Sequence, residues 1–258
     1  MERDVTVAVG WDRISVCVIT LNEEENLARC LSSVVPCGEI VVVDSGSSDG
    51  TRGVADRFGA KWLSHPWAGF AAQRTHAAEA AQLPWVLFLD ADEWLGPELR
   101  DEVGRAVASD DASALWQFRR ESRFLGRTIR HGDWSKDYVS RLAPRGRWVW
   151  RGTEPHPRLE APGLPRRCFR HPLKHTPYRD LATFQKKIES YARTWADEAS
   201  RSGAQGSPLV GRLRASWRFL RGYFLRGGFL DGRPGWVIGM QNARMVYLKH
   251  LFLSRDRA

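Results

Sequence analysis

The sequence predicts an α/β domain whose parallel strands are covered on both faces, and three observations lead there. The candidate strands are continuous Val/Ile-rich runs, not apolar–polar alternations, as strands buried on both faces require. A segment of helical spacing joins the first two of them. The strands also run out into acidic or amide residues, which lie along one rim if the strands are parallel.

Taken in order, Ile14-Ser15-Val16-Cys17-Val18-Ile19-Thr20 reads as the first strand and runs into Leu21-Asn22-Glu23-Glu24-Glu25-Asn26. Residues 26–35 have helical spacing, with Leu27, Leu31 and Val34 on one face. Glu39-Ile40-Val41-Val42-Val43 is the second strand and leads into Asp44-Ser45-Gly46-Ser47-Ser48-Asp49-Gly50-Thr51, small residues past which a ligand can approach the backbone. The Ala-rich stretch 68–81 reads as a helix. The run Trp85-Val86-Leu87-Phe88-Leu89 is a buried strand ending in Asp90-Ala91-Asp92. Two carboxylates this close repel, so a site that keeps both ionised supplies a cation or hydrogen-bond donors. A hard divalent ion bridging a carboxylate to substrate phosphates fits. A plain surface turn or helix N-cap fits the same three residues.

The blocks Thr20-Leu21-Asn22-Glu23, Val43-Asp44-Ser45-Gly46-Ser47-Ser48-Asp49-Gly50-Thr51 and Leu89-Asp90-Ala91-Asp92-Glu93 together resemble family-2 glycosyltransferases with the GT-A fold. More narrowly, the chain is similar to the bacterial lipopolysaccharide-core glycosyltransferases that place a β-linked hexose on inner-core heptose. That likeness rests on Trp67-Ala68-Gly69-Phe70 with Gln73-Arg74, His131-Gly132-Asp133-Trp134 through Asp137, Arg141-Leu142, and Gly228-Phe229-Leu230-Asp231-Gly232. It runs from about residue 14 to about residue 247 and implies a Rossmann-like nucleotide-sugar-binding core with a mixed sheet.

The resemblance also implies roles. Asp44 would hydrogen-bond the uracil of a UDP-sugar, with Asn22 and Glu23 in the same nucleotide pocket. Asp90 would lie near the ribose or the metal, and Asp92 would bind a divalent metal, Mg²⁺ or Mn²⁺, on the diphosphate. Gln73 and Arg74 would stand near the donor, where a guanidinium offsets phosphate charge. A solvated helix position is the other reading of Arg74. Asp49 is a further, weaker candidate for this site, with helix capping after the loop as its other reading.

Inverting transfer to a hydroxyl requires a carboxylate to accept the acceptor's proton, and the leaving diphosphate requires cationic help. Asp137 matches the subgroup's acidic position and is the expected base; a structural i,i+4 pair with Arg141 is the alternative. Asp133 is the second candidate and stands where the subgroup carries glycine. The subgroup's Val-His-Glu falls at Glu154-Pro155-His156-Pro157, where His156 matches, Pro157 replaces the glutamate, and Glu154 could supply a carboxylate from the other side.

Charge is divided sharply along the chain. Residues 1–118 hold 9 Lys and Arg against 19 Asp and Glu, a net of −10, whereas residues 119–180 hold 16 against 6, a net of +10. Residues 201–258 hold 11 against 2, a net of +9. An acidic half suits a site that recruits phosphates through a cation, and a basic half suits an anionic acceptor or surface. Leu213, Trp217, Leu220 and Phe224 recur at helical spacing beside Arg214, Arg218 and Arg221, the pattern of a helix lying in a membrane interface. The same stripe could instead pack on the catalytic domain or a second subunit. Residues 200–208 read as a linker, and 236–253 as a further apolar stretch.

These features divide the chain into a catalytic core over residues 1–160 and a helical, basic, acceptor-side extension over 161–258. The expected partners are a nucleotide-sugar donor, a lipopolysaccharide-core or other lipid-linked glycan acceptor, and a membrane surface. Nucleic acid is not expected, because zinc-finger spacing, an RRM-like aromatic signature and a basic arm are missing. P-loop and dinucleotide fingerprints are missing too. The four cysteines, Cys17, Cys30, Cys37 and Cys168, form no CxxC pair and suit reduced thiols. His65, His171 and His175 show no zinc-ligand spacing. With no basic start followed by an apolar stretch and no run of ~20 apolar residues, the expected location is cytoplasmic, on the inner face of the inner membrane. The same chemistry on a capsule, exopolysaccharide or peptide acceptor, and a catalytically silent nucleotide-binding scaffold, are the alternative readings.

Overall fold

A computed structural model describes residues 9–109, 114–152, 154 and 157–255. In chain order the elements are β1 (Ile14–Thr20), α1 (Glu24–Ser32), β2 (Glu39–Asp44), α2 (Thr51–Arg57), β3 (Lys61–Ser64), α3 (Phe70–Glu79), β4 (Trp85–Asp90), β5 (Glu93–Leu95) and α4 (Pro97–Ala108). There follow β6 (Leu115–Phe124), β7 (Arg127–Thr128), β8 (Tyr138–Pro144), β9 (Val149–Arg151), β10 (Arg158–Glu160), β11 (Arg166–Cys168) and β12 (Leu173–His175). Three helices complete the chain: α5 (Leu181–Arg201), α6 (Pro208–Leu220) and α7 (Arg233–Arg255).

The main sheet has the order β3-β2-β1-β4-β8-β6-β12-β5. Strands β3, β2, β1 and β4 are parallel, whereas β8 is antiparallel to both β4 and β6. The sheet is therefore mixed, as the resemblance implied, and its parallel half is the strand–helix–strand series expected from the Val/Ile runs. Every residue of β1 is buried, and successive side chains serve opposite faces. Val16 and Val18 join Leu27, Leu31, Val54, Leu99 and Val103 on the face covered by α1, α2 and α4. Cys17, Val41, Val43 and Phe88 meet Ala77 and Ala78 of α3 on the other face. Each large apolar side chain so buried contributes roughly 1.5–3 kcal/mol before the entropy of ordering is charged against it.

The chain forms two compact units. The first holds Met1–Arg120 and Tyr138–His175, the second Glu121–Asp137 and Thr176–Ala258. The boundary expected near residue 160 falls inside the first unit. Within the second, α5 and α6 both pack on α7. Phe124, Ile129, Phe184, Ile188 and Ile238 form its core, with Tyr178 stacked on Phe184 at 4.1 Å between ring centroids. The expected linker corresponds to the break between α5 and α6. Ser207 restarts the helix there, its hydroxyl accepting the Val210 amide at 3.4 Å, with Pro208 in the first turn. Beyond α6 the chain widens through a π turn, Arg221–Leu225, and then tightens into a 3₁₀ turn, Gly228–Asp231. Among the described residues no helix is long and apolar enough to cross a membrane. All four cysteines are free thiols: Cys17 and Cys30 are buried, Cys37 is half-buried and Cys168 is exposed.

Candidate active site

Register brings the acidic strand ends together. Thr20 of β1 lies beside Asp44 of β2, and Ile19 of β1 beside Asp90 of β4. Asn22, Glu23, Asp44 and Asp90 thus share the carboxyl rim of the parallel strands, where open α/β sheets bind ligands.

The two loops at this rim are knitted together. The Asn22 amide donates to Ser47 Oγ at 2.8 Å, and the Ser48 amide donates to Asn22 Oδ1 at 2.8 Å. Asn22 adopts φ 55°, a left-handed conformation that asparagine tolerates better than most side chains. The Glu23 amide donates to Thr51 Oγ1 at 2.9 Å, while the Glu23 carboxylate accepts from Asn26 Nδ2 at 2.7 Å. Asp44 is 4% exposed, and its Oδ2 accepts the amides of Gly46 and Ser47, both at 2.8 Å. Its other oxygen accepts the Ser47 hydroxyl. Gly46 turns the loop back at φ 108°, a conformation that favours glycine. Asp49 receives the Thr51 amide at 3.0 Å and the Glu24 amide at 3.3 Å, so it ties the first turn of α2 to that of α1.

Gln73 is fully buried, and both ends of its amide are engaged. Its Oε1 lies 2.8 Å from His65 Nδ1, and its Nε2 donates to Ser45 Oγ at 2.9 Å and to the His65 carbonyl at 3.0 Å. The residue therefore anchors the loop after Asp44 to the end of β3. Arg74 is buried as well and is not a solvated helix position. Its Nη2 donates to Asp90 Oδ1 at 2.6 Å, and its guanidinium lies 4.9 Å from the Trp150 ring centroid.

Asp90 is clamped from both sides. Arg141 Nη2 donates to its Oδ2 at 2.6 Å, opposite Arg74. Burial works to raise the Asp90 pKa, but Arg141 and Arg74 outweigh it and hold the carboxyl well below the usual carboxylate range. Glu93 lies beneath. It is fully buried, accepts Arg141 Nη2 at 2.8 Å and Nε at 3.1 Å, accepts Arg120 Nη1 at 3.2 Å, and receives the Asp90 amide at 3.1 Å. The segment carrying Arg141 is strand β8, so the i,i+4 spacing from Asp137 is not helical, and the Arg141 guanidinium serves Asp90 and Glu93.

Asp92 stands on the turn between β4 and β5. His175 of β12, paired with β5 at Glu93, brings Nε2 to 3.6 Å from Asp92 Oδ2. The approach of His175 to Asp92 is a long-range product of the sheet that no local spacing announces. Glu93 stands inside the aspartate motif, but nothing local distinguishes its buried anchoring role. Glu154 Oε1 accepts the Ala71 amide at 3.3 Å in the first turn of α3, while His156 lies outside the described residues.

Asp133 and Asp137 belong to the second unit. The Asp133 side chain is 3% exposed and meets Arg218 Nε at 3.0 Å, Arg226 Nη1 at 2.8 Å and Asn242 Nδ2 at 3.4 Å. Asp137 is half-buried at the end of its segment, immediately before β8. Two of the sequence motifs meet inside this unit: Asp231 accepts the His131 amide at 2.8 Å and the Arg130 amide at 3.2 Å.

Residues 15–160 match the family described as Glycosyl transferase family 2. A lipopolysaccharide core biosynthesis glycosyltransferase, LpsC of Rhizobium meliloti (strain 1021), is 29% identical over 94% of this chain and 94% of its own length. An uncharacterized glycosyltransferase of Rickettsia conorii is 41% identical over 38% of this chain, which spans about a third (35%) of that protein. Among solved structures, the glucosyl-3-phosphoglycerate synthase of Mycobacterium tuberculosis, in complex with Mn²⁺, UDP and glucosyl-3-phosphoglycerate, is similar over 48% of this chain and 50% of its own. It does so at 23% identity and a TM-score of 0.38.

Proposed function

The chain belongs to glycosyl transferase family 2, and from that membership we propose that it transfers a hexose from a UDP-sugar to a lipopolysaccharide-core heptose, with inversion and with a divalent metal. The observation that supports this most is the rim itself. Asp44 with its loop ends β2, the doubly clamped Asp90 ends β4 on the other side of β1, and Asp92 follows on the turn after β4, beside His175.

The donor set fits a divalent ion. Asp92 offers a hard carboxylate oxygen and His175 an imidazole nitrogen, and the two converge at 3.6 Å. Among the described residues no cluster of three or more His, Cys, Asp or Glu is arranged for a metal. Mg²⁺ in phosphate-handling sites takes one or two carboxylates and completes its shell with substrate phosphates and water. What the ion supplies when held there is neutralisation of charge on the departing diphosphate.

The other roles belong to side chains. Asn22 and Glu23 shape the nucleotide pocket, and Asp44 receives the base while its serine-rich loop holds it in place. Gln73 fixes that loop. Arg74 and Arg141 set the orientation of Asp90 toward the donor and keep it ionised. Asp137 takes the proton of the acceptor hydroxyl. It is preferred to Asp133 because it matches the subgroup's acidic position, whereas Asp133 stands where the subgroup carries glycine and holds Arg218, Arg226 and Asn242. The basic second unit serves an acceptor carried on an anionic membrane, placing the protein peripherally on the inner face of the inner membrane.

Calorimetric titration with UDP, with and without Mn²⁺, tests the donor half of this proposal. Metal-dependent binding is expected; no binding in either condition would remove the UDP-sugar assignment. Transfer to a heptose-terminated core oligosaccharide, set against other glycan acceptors, tests the rest.

A further inference from the structure

In the second unit, α6, the two turns after it and the start of α7 leave a row of large apolar side chains in water. Leu213, Trp217, Phe224, Leu225, Phe229 and Trp236 are each between 47% and 70% exposed. Three of these side chains share one ring neighbour. The Tyr223 ring lies 5.1 Å from Phe224, 6.2 Å from Phe229 and 5.3 Å from Trp236, joining the π turn to the 3₁₀ turn and to α7. An exposed apolar surface of this kind marks an interaction site.

Charge selects the partner. Arg212, Arg214, Arg226 and Arg233 are exposed on the same segments. Between positions 208 and 255 the only acidic residue is Asp231, and it is 3% exposed. Two copies meeting through this surface would press arginine against arginine with no carboxylate to separate them. An anionic lipid leaflet offers phosphates to the arginines and an acyl boundary to the rings.

We propose that the turn between α6 and α7 is a preformed insertion wedge for an anionic leaflet, its apolar tip formed by Phe224, Leu225 and Phe229. This deepens the membrane-surface reading above by naming the segment that enters the lipid and what holds it ready. Asp133 is the clasp: it takes Arg218 and Arg226 into ion pairs, with Arg221 Nη2 at 3.8 Å, and so ties the end of α6 to the turn. Close packing completes it. A Cβ added at Gly235 would lie 1.9 Å from the Gly228 carbonyl oxygen, so only glycine lets α7 seat against the 3₁₀ turn. A wedge already ordered loses little conformational freedom on entering lipid.

The test is flotation of the full chain with phosphatidylcholine vesicles, with and without phosphatidylglycerol, in the absence of any sugar nucleotide. Its failure is thereby separate from failure of the transferase reading. The chain should float with the anionic vesicles, release partly at high salt, and show a blue shift of tryptophan emission. The double variant Phe224→Ser with Leu225→Ser changes only exposed side chains and should keep its circular dichroism while binding on the order of 100-fold more weakly. Equal binding by that variant, or no binding to anionic vesicles, overturns the wedge. A stable dimer in light scattering that the double variant dissociates overturns it as well, making the surface a subunit interface.

Discussion

Arg141 Nη2 stands 2.6 Å from Asp90 Oδ2 and 2.8 Å from Glu93 Oε1, so one guanidinium joins the carboxylate at the rim to the carboxylate buried beneath it. The arrangement ties β8 to the end of β4 by charge as well as by backbone pairing. It also decides how the aspartate motif is presented: Asp90 cannot rotate without giving up Arg141, Arg74 or both. Because Glu93 fixes Arg141 from below, the orientation of Asp90 is set before any ligand arrives.

That clamp carries a pH signature. The Asp90 pKa is depressed in the folded chain, because Arg141 and Arg74 outweigh the burial that would raise it. A depressed carboxylate contributes stability that is fully present above its unfolded pKa of about 3.9 and is lost as pH falls toward the folded value. The melting temperature should therefore exceed that of Asp90→Asn at neutral pH, and the gap should narrow below about pH 5. A gap independent of pH would mean that the ion pairs add nothing to the folded state.

Glu93→Gln tests the base of the network. The change keeps the shape but removes the charge facing Arg141 and Arg120, leaving buried guanidiniums under-compensated. A loss on the order of 3–5 kcal/mol is expected from urea denaturation. A midpoint within error of the parent would show that Asp90 alone suffices to hold Arg141.

Asp92→Asn should abolish the Mn²⁺ dependence of UDP binding while leaving the melting temperature of the metal-free protein nearly unchanged. His175→Ala should weaken the same dependence by roughly 10–100-fold, the usual cost of disturbing a metal site's close partners. Calorimetry on both variants decides the matter. Retained Mn²⁺ dependence in Asp92→Asn would falsify its assignment as the metal ligand.

How much of this could be read from the sequence follows from the range of each interaction. The parallel strands were legible because burial on both faces leaves continuous apolar runs, and the acidic rim because each run ends in its own short motif. The Gln73-Arg74 pair could be placed on a helix, but not its partners, since Ser45 and Asp90 lie 28 and 16 residues away in sequence. Arg141 looked like one turn of a helix from Asp137, yet β8 places it on carboxylates 51 and 48 residues away. The C-terminal arginine stripe was visible as a pattern. What the pattern could not show is that Arg218 and Arg221 turn toward Asp133 while the apolar residues beside them stay in water.

The two candidate bases can be told apart by what their removal does to turnover and to stability. Asp137→Asn should lower kcat by about 10²–10⁴-fold, the range for a lost proton acceptor, with the KM for the UDP-sugar and the melting temperature near their original values. Asp133→Asn should do the reverse. Its side chain is 3% exposed among Arg218, Arg221 and Arg226, so losing its charge leaves three guanidiniums unbalanced and should cost on the order of 3 kcal/mol of stability. Steady-state kinetics paired with thermal melts on both variants gives a two-by-two outcome. Full turnover in Asp137→Asn, together with an inactive but equally stable Asp133→Asn, would reassign the base to Asp133.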